Sequence, residues 1–152
     1  MIDSLAGELG LYAGTFVVCF VAGLVPLVNA EIYLIGVTTM VVTSPAPLPM
    51  VVLLAALGQM VAKVLLYYGA LGALELPGGR HRERLARARV RMQAWQEKPK
   101  WILFASALLG LPPFYLVSLA AGALRIGIRT FCVLGLIGRI LRFAVIVAIP
   151  WL

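Results

Sequence analysis

Long apolar stretches interrupted by prolines constrain this chain more than any other feature. Leu9–Thr43 is apolar except for a short interruption at Pro26, and Met50–Leu74 runs without any break. A membrane-spanning helix needs about 20 apolar residues, so Met50–Leu74 is long enough to cross. Because proline removes a backbone donor and clashes with the preceding turn, Pro26 predicts a break that leaves two shorter pieces.

The composition also points to a membrane. Of the 152 residues, 62% are hydrophobic and 12% are charged. A soluble domain is about a quarter charged and under half apolar, and a disordered chain is poorer still in apolar residues. We therefore predict an integral membrane protein with a single membrane domain over residues 1–152.

The second half of the chain repeats the pattern of the first. Each half has a short apolar piece, a proline break, a second short piece and a long span. In the first half these are Leu9–Val25, Ala30–Thr43 and Met50–Leu74; in the second they are Trp101–Leu111, Phe114–Leu124 and Thr130–Ile149, with the break at Pro112 and Pro113. We interpret each pair of short pieces as a re-entrant helical hairpin, and two thin, tilted full spans are the alternative.

This pattern predicts an all-α fold built as an inverted repeat. Repeat one covers 9–74, a basic arm covers 75–100, and repeat two covers 101–150. A hairpin starts and ends on one side of the membrane, so the two repeats enter from opposite faces. That arrangement is typical of transporters whose broken helices meet near the membrane midplane.

The basic residues predict the orientation. Eight of the thirteen Lys and Arg lie between Arg80 and Lys100. The positive-inside rule then places this arm in the cytoplasm and the N-terminus outside, with the protein in the inner membrane.

The sequence of the arm predicts a basic amphipathic helix, because apolar residues recur at helical spacing and form one stripe: Leu85, Ala88, Met92 and Trp95. Such a helix suits an anionic inner leaflet, at about 1 kcal/mol per basic residue. A solvated linker is the alternative. Nucleic acid is not expected as a partner, because the charge is confined to one connecting segment.

Four ionisable residues fall at membrane depth, namely Glu31, Lys63, Arg139 and Arg142. An ionised group at the membrane centre costs about 2.5–3.5 kcal/mol, so these groups should face a wet cavity or each other. One carboxylate faces three cations, and like charges in low dielectric are unfavourable unless an anion joins them. A phosphate has the right sign, and Arg suits it through its planar fork of donors. A buried ion-pair network that pins the helices is the alternative.

Neutral polar residues add to this candidate site. Asn29 and Gln59 could bind a headgroup by hydrogen bonds, although bonds between helices are an equal alternative. Glu31, beside the proline break, is also a candidate for proton uptake and release. Close helix packing is expected at five glycines: Gly58, Gly69, Gly72, Gly135 and Gly138.

The sequence contains no metal-ligand cluster, no phosphate-cradling glycine loop and no nucleophile with a plausible base. We therefore expect neither an enzyme nor a cofactor.

The ordered motifs resemble the DedA superfamily, also called VTT or SNARE-associated domain proteins, and its YqaA-like branch. The family's Pro-x-x-Pro-Gly/Ser-Glu hairpin is similar to Pro26-Leu-Val-Asn-Ala-Glu31, and its Gly-rich span is similar to the stretch from Gly58-Gln59 to Tyr67-Tyr68-Gly69. Further matches are Pro112-Pro113 followed by Ala121-Gly122, and Gly138-Arg139 with Arg142-Phe143. The resemblance covers nearly the whole chain from Leu11 to Phe143.

The resemblance implies paired re-entrant hairpins in an inverted repeat. It also implies a lipid flippase or scramblase, such as those that recycle polyprenyl-phosphate carriers, with proton coupling in some relatives. One motif departs from the family, because Leu109–Leu116 lacks the arginines of the family's Arg-Phe-x-Pro-x-x-Arg motif. Arg139 and Arg142 would have to replace an arginine-lined phosphate site there.

We therefore predict a membrane flippase or scramblase for a lipid with an anionic headgroup, with Glu31 as gate or proton carrier. The first alternative is a small cation or multidrug exporter that uses Glu31. The second is a structural or assembly protein whose arm recruits a partner. The sequence leaves the oligomeric state open, a homo-oligomer included.

Overall fold

The computed structural model describes residues 2–73, 83, 86–87, 90 and 98–152. Within them the chain is helical and contains no strand, which confirms the all-α prediction. The helices are α1 (Ile2–Leu24), α2 (Ala30–Met40), α3 (Leu48–Ala73), α4 (Pro99–Leu109), α5 (Phe114–Ala123) and α6 (Ile128–Ala148), and a 3₁₀ turn follows at Ile149–Trp151.

Three helical stretches are long and apolar enough to cross a membrane: Ile2–Leu24, Leu48–Gly72 and Ile128–Trp151. The other three helices are short. α2 and α4 have 11 residues each and α5 has 10. At a rise of about 1.5 Å per residue, each covers about half of a membrane's hydrocarbon thickness.

The prediction of a short first piece, Leu9–Val25, is wrong in length. α1 begins at Ile2 and has 23 residues, which is enough to cross. The residues before Leu9 include the polar Asp3, Ser4 and Glu8 but no proline. The carboxylate of Asp3 in the first turn interacts favourably with the positive end of the helix dipole. The helix therefore begins before the apolar run, whose first residue, Leu9, was used to predict its start.

The predicted breaks at Pro26 and at Pro112 and Pro113 are confirmed. α1 ends at Leu24 and α2 begins at Ala30, so Pro26 lies in the connection. α4 ends at Leu109, and Gly110 after it takes a left-handed conformation with φ of 78° and caps the helix C-terminus. Pro113 then precedes the first residue of α5.

The described residues form two compact units, the first within Met1–Ala62 and Arg139–Leu152 and the second within Lys63–Gly138. In the first unit α1 and α3 approach closely at two glycines. A Cβ on Gly58 would lie 2.5 Å from the Phe16 carbonyl oxygen, and one on Gly23 would lie 2.5 Å from the Ala62 Cβ. Small residues let helix backbones come this near, as is common in membrane proteins.

The second unit packs in the same way. A Cβ on Gly138 of α6 would lie 2.6 Å from the Ala107 Cβ of α4, and one on Gly122 would collide with the Tyr67 carbonyl. Tyr67 also donates a hydrogen bond to the Ile126 carbonyl. Close packing was therefore predicted correctly at Gly58 and Gly138, but it was wrong for Gly69 and Gly72, which have open space around them.

Within the arm the structure describes Glu83, Ala86, Arg87 and Val90, which are helical and exposed, and the last three residues, 98–100. The predicted apolar stripe of Leu85, Ala88, Met92 and Trp95 lies outside the described residues. The amphipathic helix on the inner leaflet therefore stays a prediction.

Candidate functional site

The candidate site of the first unit includes the start of α2, just after the Pro26 break. The Oδ1 atom of Asn29 accepts a hydrogen bond from the Glu31 backbone N–H at 2.8 Å, so Asn29 caps this helix. Asn is among the best N-cap residues because its side-chain oxygen satisfies a donor that the helix leaves open. The cap fixes the first turn, in which Glu31 lies.

Glu31 forms an ion pair with Arg142 of α6. The Arg142 Nε atom donates to Glu31 Oε1 at 2.6 Å, and a terminal guanidinium nitrogen donates to the same oxygen. The side chain of Glu31 is 33% exposed and that of Arg142 is 20% exposed, so the pair is largely removed from solvent. Charge-assisted hydrogen bonds of this kind are about twice as strong as neutral ones.

Arg139 lies one turn before Arg142 and is 8% exposed. Its guanidinium carbon lies 5.8 Å from the centre of the Phe143 ring, and its charge interacts with those of Arg142 and Glu31. Two guanidinium charges and one carboxylate charge therefore interact here. This part of the first unit carries a net positive charge.

Gln59 of α3 is a further buried polar residue of the first unit. Its side chain is 6% exposed, and its Oε1 atom has no hydrogen-bond partner among the described residues. A buried acceptor without a partner costs about 1–3 kcal/mol, so such an atom favours a bound water or a ligand donor.

In the second unit, the buried cation is Lys63 of α3, which is 4% exposed. Its Nζ atom lies 5.3 Å from the centre of the Tyr115 ring, in the first turn of α5. Aromatic faces attract cations, so the ring of Tyr115 is one partner of the Lys63 ammonium group.

The comparisons with known proteins decide the family. A family model described as the VTT domain matches residues 25–151. The chain belongs to the VTT domain family. This domain is the one that defines the DedA superfamily, as the motifs predicted. No curated protein and no solved structure matches the chain significantly.

Membership of the VTT family and the three long apolar helices together make the chain a multi-pass membrane protein of the DedA type. The matched range begins at Val25 and therefore contains both proline breaks and every ionisable residue of the candidate site. Assignment to the YqaA-like branch stays a prediction.

The structure of this VTT protein brings together Asn29, Glu31, Arg139 and Arg142 in the first unit, where Gln59 also lies. Lys63 belongs to the second unit. Whether these residues bind a substrate stays a prediction. Asn29 already has a structural role as a helix cap.

Sequence reasoning missed Tyr115, the aromatic partner of Lys63. It also missed the contact between the Thr15 and Tyr33 hydroxyls at 3.3 Å, which links α1 to α2. The available signal for Tyr115 was its position two residues after Pro113. An aromatic residue in the first turn after a proline break lies where the chain bends back towards the preceding helix.

Proposed function

We propose that this VTT protein is a flippase or scramblase for a lipid with an anionic phosphate headgroup, polyprenyl phosphate among the candidates. The observation that supports it most is the excess of buried cations. Arg139 and Lys63 are 8% and 4% exposed, and the carboxylate of Glu31 is already paired with Arg142.

The physical argument concerns the cost of this charge. A cation near the membrane centre costs about 2.5–3.5 kcal/mol on insertion scales. The Glu31 carboxylate offsets one such charge, and a phosphate group entering the unit would offset more. In this proposal Arg139 and Arg142 bind the phosphate in the first unit, where Asn29 and Gln59 add neutral hydrogen bonds, and Lys63 is a phosphate-binding cation of the second unit.

The lengths of the helices support the transport architecture. α4 and α5, on either side of Pro112, are each about half as long as a spanning helix, and so is α2. We interpret these as the short limbs of re-entrant hairpins in an inverted repeat, with α1 as a longer limb. The basic arm then lies on the anionic cytoplasmic leaflet of the inner membrane, and the N-terminus lies outside.

Glu31 has a second role in the proposal, as gate or proton carrier. Its pairing with Arg142 means that protonation would release the guanidinium, which could then bind the phosphate. A Glu31→Gln variant tests this step. Loss of the pH dependence of transport supports it, whereas full activity with unchanged pH dependence rejects it.

The cation-exporter alternative gains no support from this site, since the Glu31 carboxylate is already bound by a guanidinium. No catalytic step or cofactor is part of the proposal.

The test of the function is lipid flipping in proteoliposomes. The purified chain is reconstituted with fluorescent lipids that share their chains and differ in headgroup: phosphate, neutral glycerol and quaternary ammonium. Each is measured with and without a pH gradient. We expect phosphate lipids to move faster than in protein-free liposomes and the ammonium lipid to stay at the background rate.

A matched variant strengthens the result. Arg139→Met removes a buried charge at similar side-chain length, whereas Arg125→Met removes a charge from an exposed residue between α5 and α6. Only the first should slow flipping. Equal flipping of all three headgroups, or equal loss in both variants, contradicts the proposal.

A further inference from the structure

A cavity in the first unit has the opposite charge to the cluster of Glu31, Arg139 and Arg142. It has a volume of about 480 Å³ and lies between one face of α1 and the segment that joins α2 to α3. The α1 residues that line it recur at helical spacing, so they form a continuous wall: Ser4, Gly7, Glu8, Leu11 and Tyr12. This volume is within the range of small-molecule sites in proteins.

The charge of the cavity comes from Glu8 alone. The other lining residues are neutral, and the residues that line it include no Lys, Arg or His. Glu8 forms no ion pair with any residue in the described part of the chain. Unlike Glu31, whose carboxylate accepts hydrogen bonds from Arg142, Glu8 is therefore available to a cation from outside the chain.

The rest of the lining suits an apolar group next to that cation. Leu11, Val41, Val42 and Pro47 supply apolar surface, and the ring of Tyr12 lies one turn from Glu8 on α1. Aromatic faces attract organic cations, and a carboxylate beside a ring is a common recognition unit for ammonium groups.

We propose that this cavity is a binding site for amphiphilic organic cations, in which Glu8 binds the ammonium or phosphonium centre and the apolar wall binds its substituents. The site is separate from the Glu31–Arg142 pair. Val41 and Val42 follow the C-terminus of α2, whereas Glu31 is at its N-terminus, about 16 Å away along the helix. The inference does not depend on the lipid-transport proposal.

The test uses two probes of equal size and shape but opposite charge, tetraphenylphosphonium and tetraphenylborate. Equilibrium dialysis of the full chain in a neutral detergent measures saturable binding above the detergent background. We expect tetraphenylphosphonium to bind at one site per chain. Glu8→Gln should weaken that binding by at least about tenfold, because a charged partner is lost.

Two matched pairs of variants distinguish binding in the cavity from an effect of net charge or of side-chain size elsewhere on α1. Asp3→Asn removes a carboxylate from the same helix outside the cavity and should leave binding unchanged. Gly7→Leu fills the cavity, because a Cβ on Gly7 meets no atom within 4 Å, and it should abolish binding. Gly10→Leu is its control, since Gly10 also has open space around it but does not line the cavity.

Several results would overturn the proposal. They are the absence of saturable tetraphenylphosphonium binding, equal binding by Glu8→Gln, and equal loss in Gly7→Leu and Gly10→Leu. Tetraphenylborate binding that responds to the same variants would also overturn it, since size and not charge would then decide.

The source of the cation is distinguished in nanodiscs. The probe is measured in bilayers of lipids with quaternary ammonium headgroups and in bilayers of lipids with glycerol headgroups. Displacement by the ammonium lipids alone identifies a lipid headgroup as the ligand, while equal probe binding in both bilayers identifies a dissolved cation.

Discussion

In the first unit a partly exposed cation is paired with a carboxylate, whereas in the second unit a buried cation lies against an aromatic ring. Arg142 donates two hydrogen bonds to Glu31, while Lys63 lies over the ring of Tyr115. A carboxylate offsets a full charge, but a cation–π contact contributes only about 0.5–2 kcal/mol. We therefore expect the ion pair to contribute mainly to folding, whereas the proposed role of Lys63 in phosphate binding predicts a larger effect on transport than on stability.

The largest expected effect is on transport by a Lys63→Met variant. Methionine keeps the length of the side chain and removes its charge, so phosphate-lipid flipping should fall about a hundredfold through loss of a charged contact. The midpoint temperature of thermal unfolding should not fall, because the Lys63 charge is itself unfavourable at membrane depth.

Lys63→Arg is the control for that variant, since it keeps the charge and should retain part of the activity. Unchanged flipping by Lys63→Met would show that Lys63 has no part in the transport site. A lower stability with unchanged flipping would assign it to folding, and the contrast between the two units would then be lost.

The next effect concerns the stability of the first unit. A double-mutant cycle of Glu31→Gln and Arg142→Met should give a coupling energy of about 1.5–2 kcal/mol, measured by denaturant unfolding in detergent. We expect this coupling energy to be in the lower part of the range for hydrogen bonds to charged groups, because both side chains are partly exposed.

The same cycle between Asp3→Asn and Arg142→Met should give no coupling, because Asp3 is at the far end of α1 and makes no ion pair within the part of the chain that the structure describes. Equal coupling in both cycles would mean that the effect reflects net charge and not the pair.

The smallest effect is expected at Tyr115. Tyr115→Leu removes the ring beside Lys63 and should lower stability by about 0.5–1 kcal/mol, whereas Tyr115→Phe keeps the ring and should have no effect. In the Lys63→Met background, Tyr115→Leu should cost less, since the cation is gone. An equal cost in both backgrounds would show that the ring only fills space.

Much of the fold followed from proline positions and apolar length. The ends of α2 to α6 were predicted to within about three residues, because prolines and loops stop a helix in ways that depend on nearby sequence. The start of α1 was not, because the polar residues Asp3, Ser4 and Glu8 interrupt the apolar pattern without ending the helix.

The candidate site was predictable as a set of residues but not as pairs. Few ionisable groups fall at membrane depth, which identified Glu31, Lys63, Arg139 and Arg142. Glu31 and its partner Arg142 are 111 residues apart in the sequence. The sequence alone did not show which of the three cations pairs with the carboxylate. The Glu8 cavity could not be predicted, because it depends on how the segment after α2 packs against α1.

The most direct test of the central claim compares two ligands that differ only in charge. Equilibrium binding of a polyprenyl phosphate to the purified protein is measured against the matching polyprenol, which has the same chain and no phosphate. If the buried cations bind an anionic headgroup, the polyprenyl phosphate should bind saturably and at least about tenfold more tightly than the polyprenol. This difference in affinity should be lost in Lys63→Met. Equal affinity for the two ligands would contradict the account.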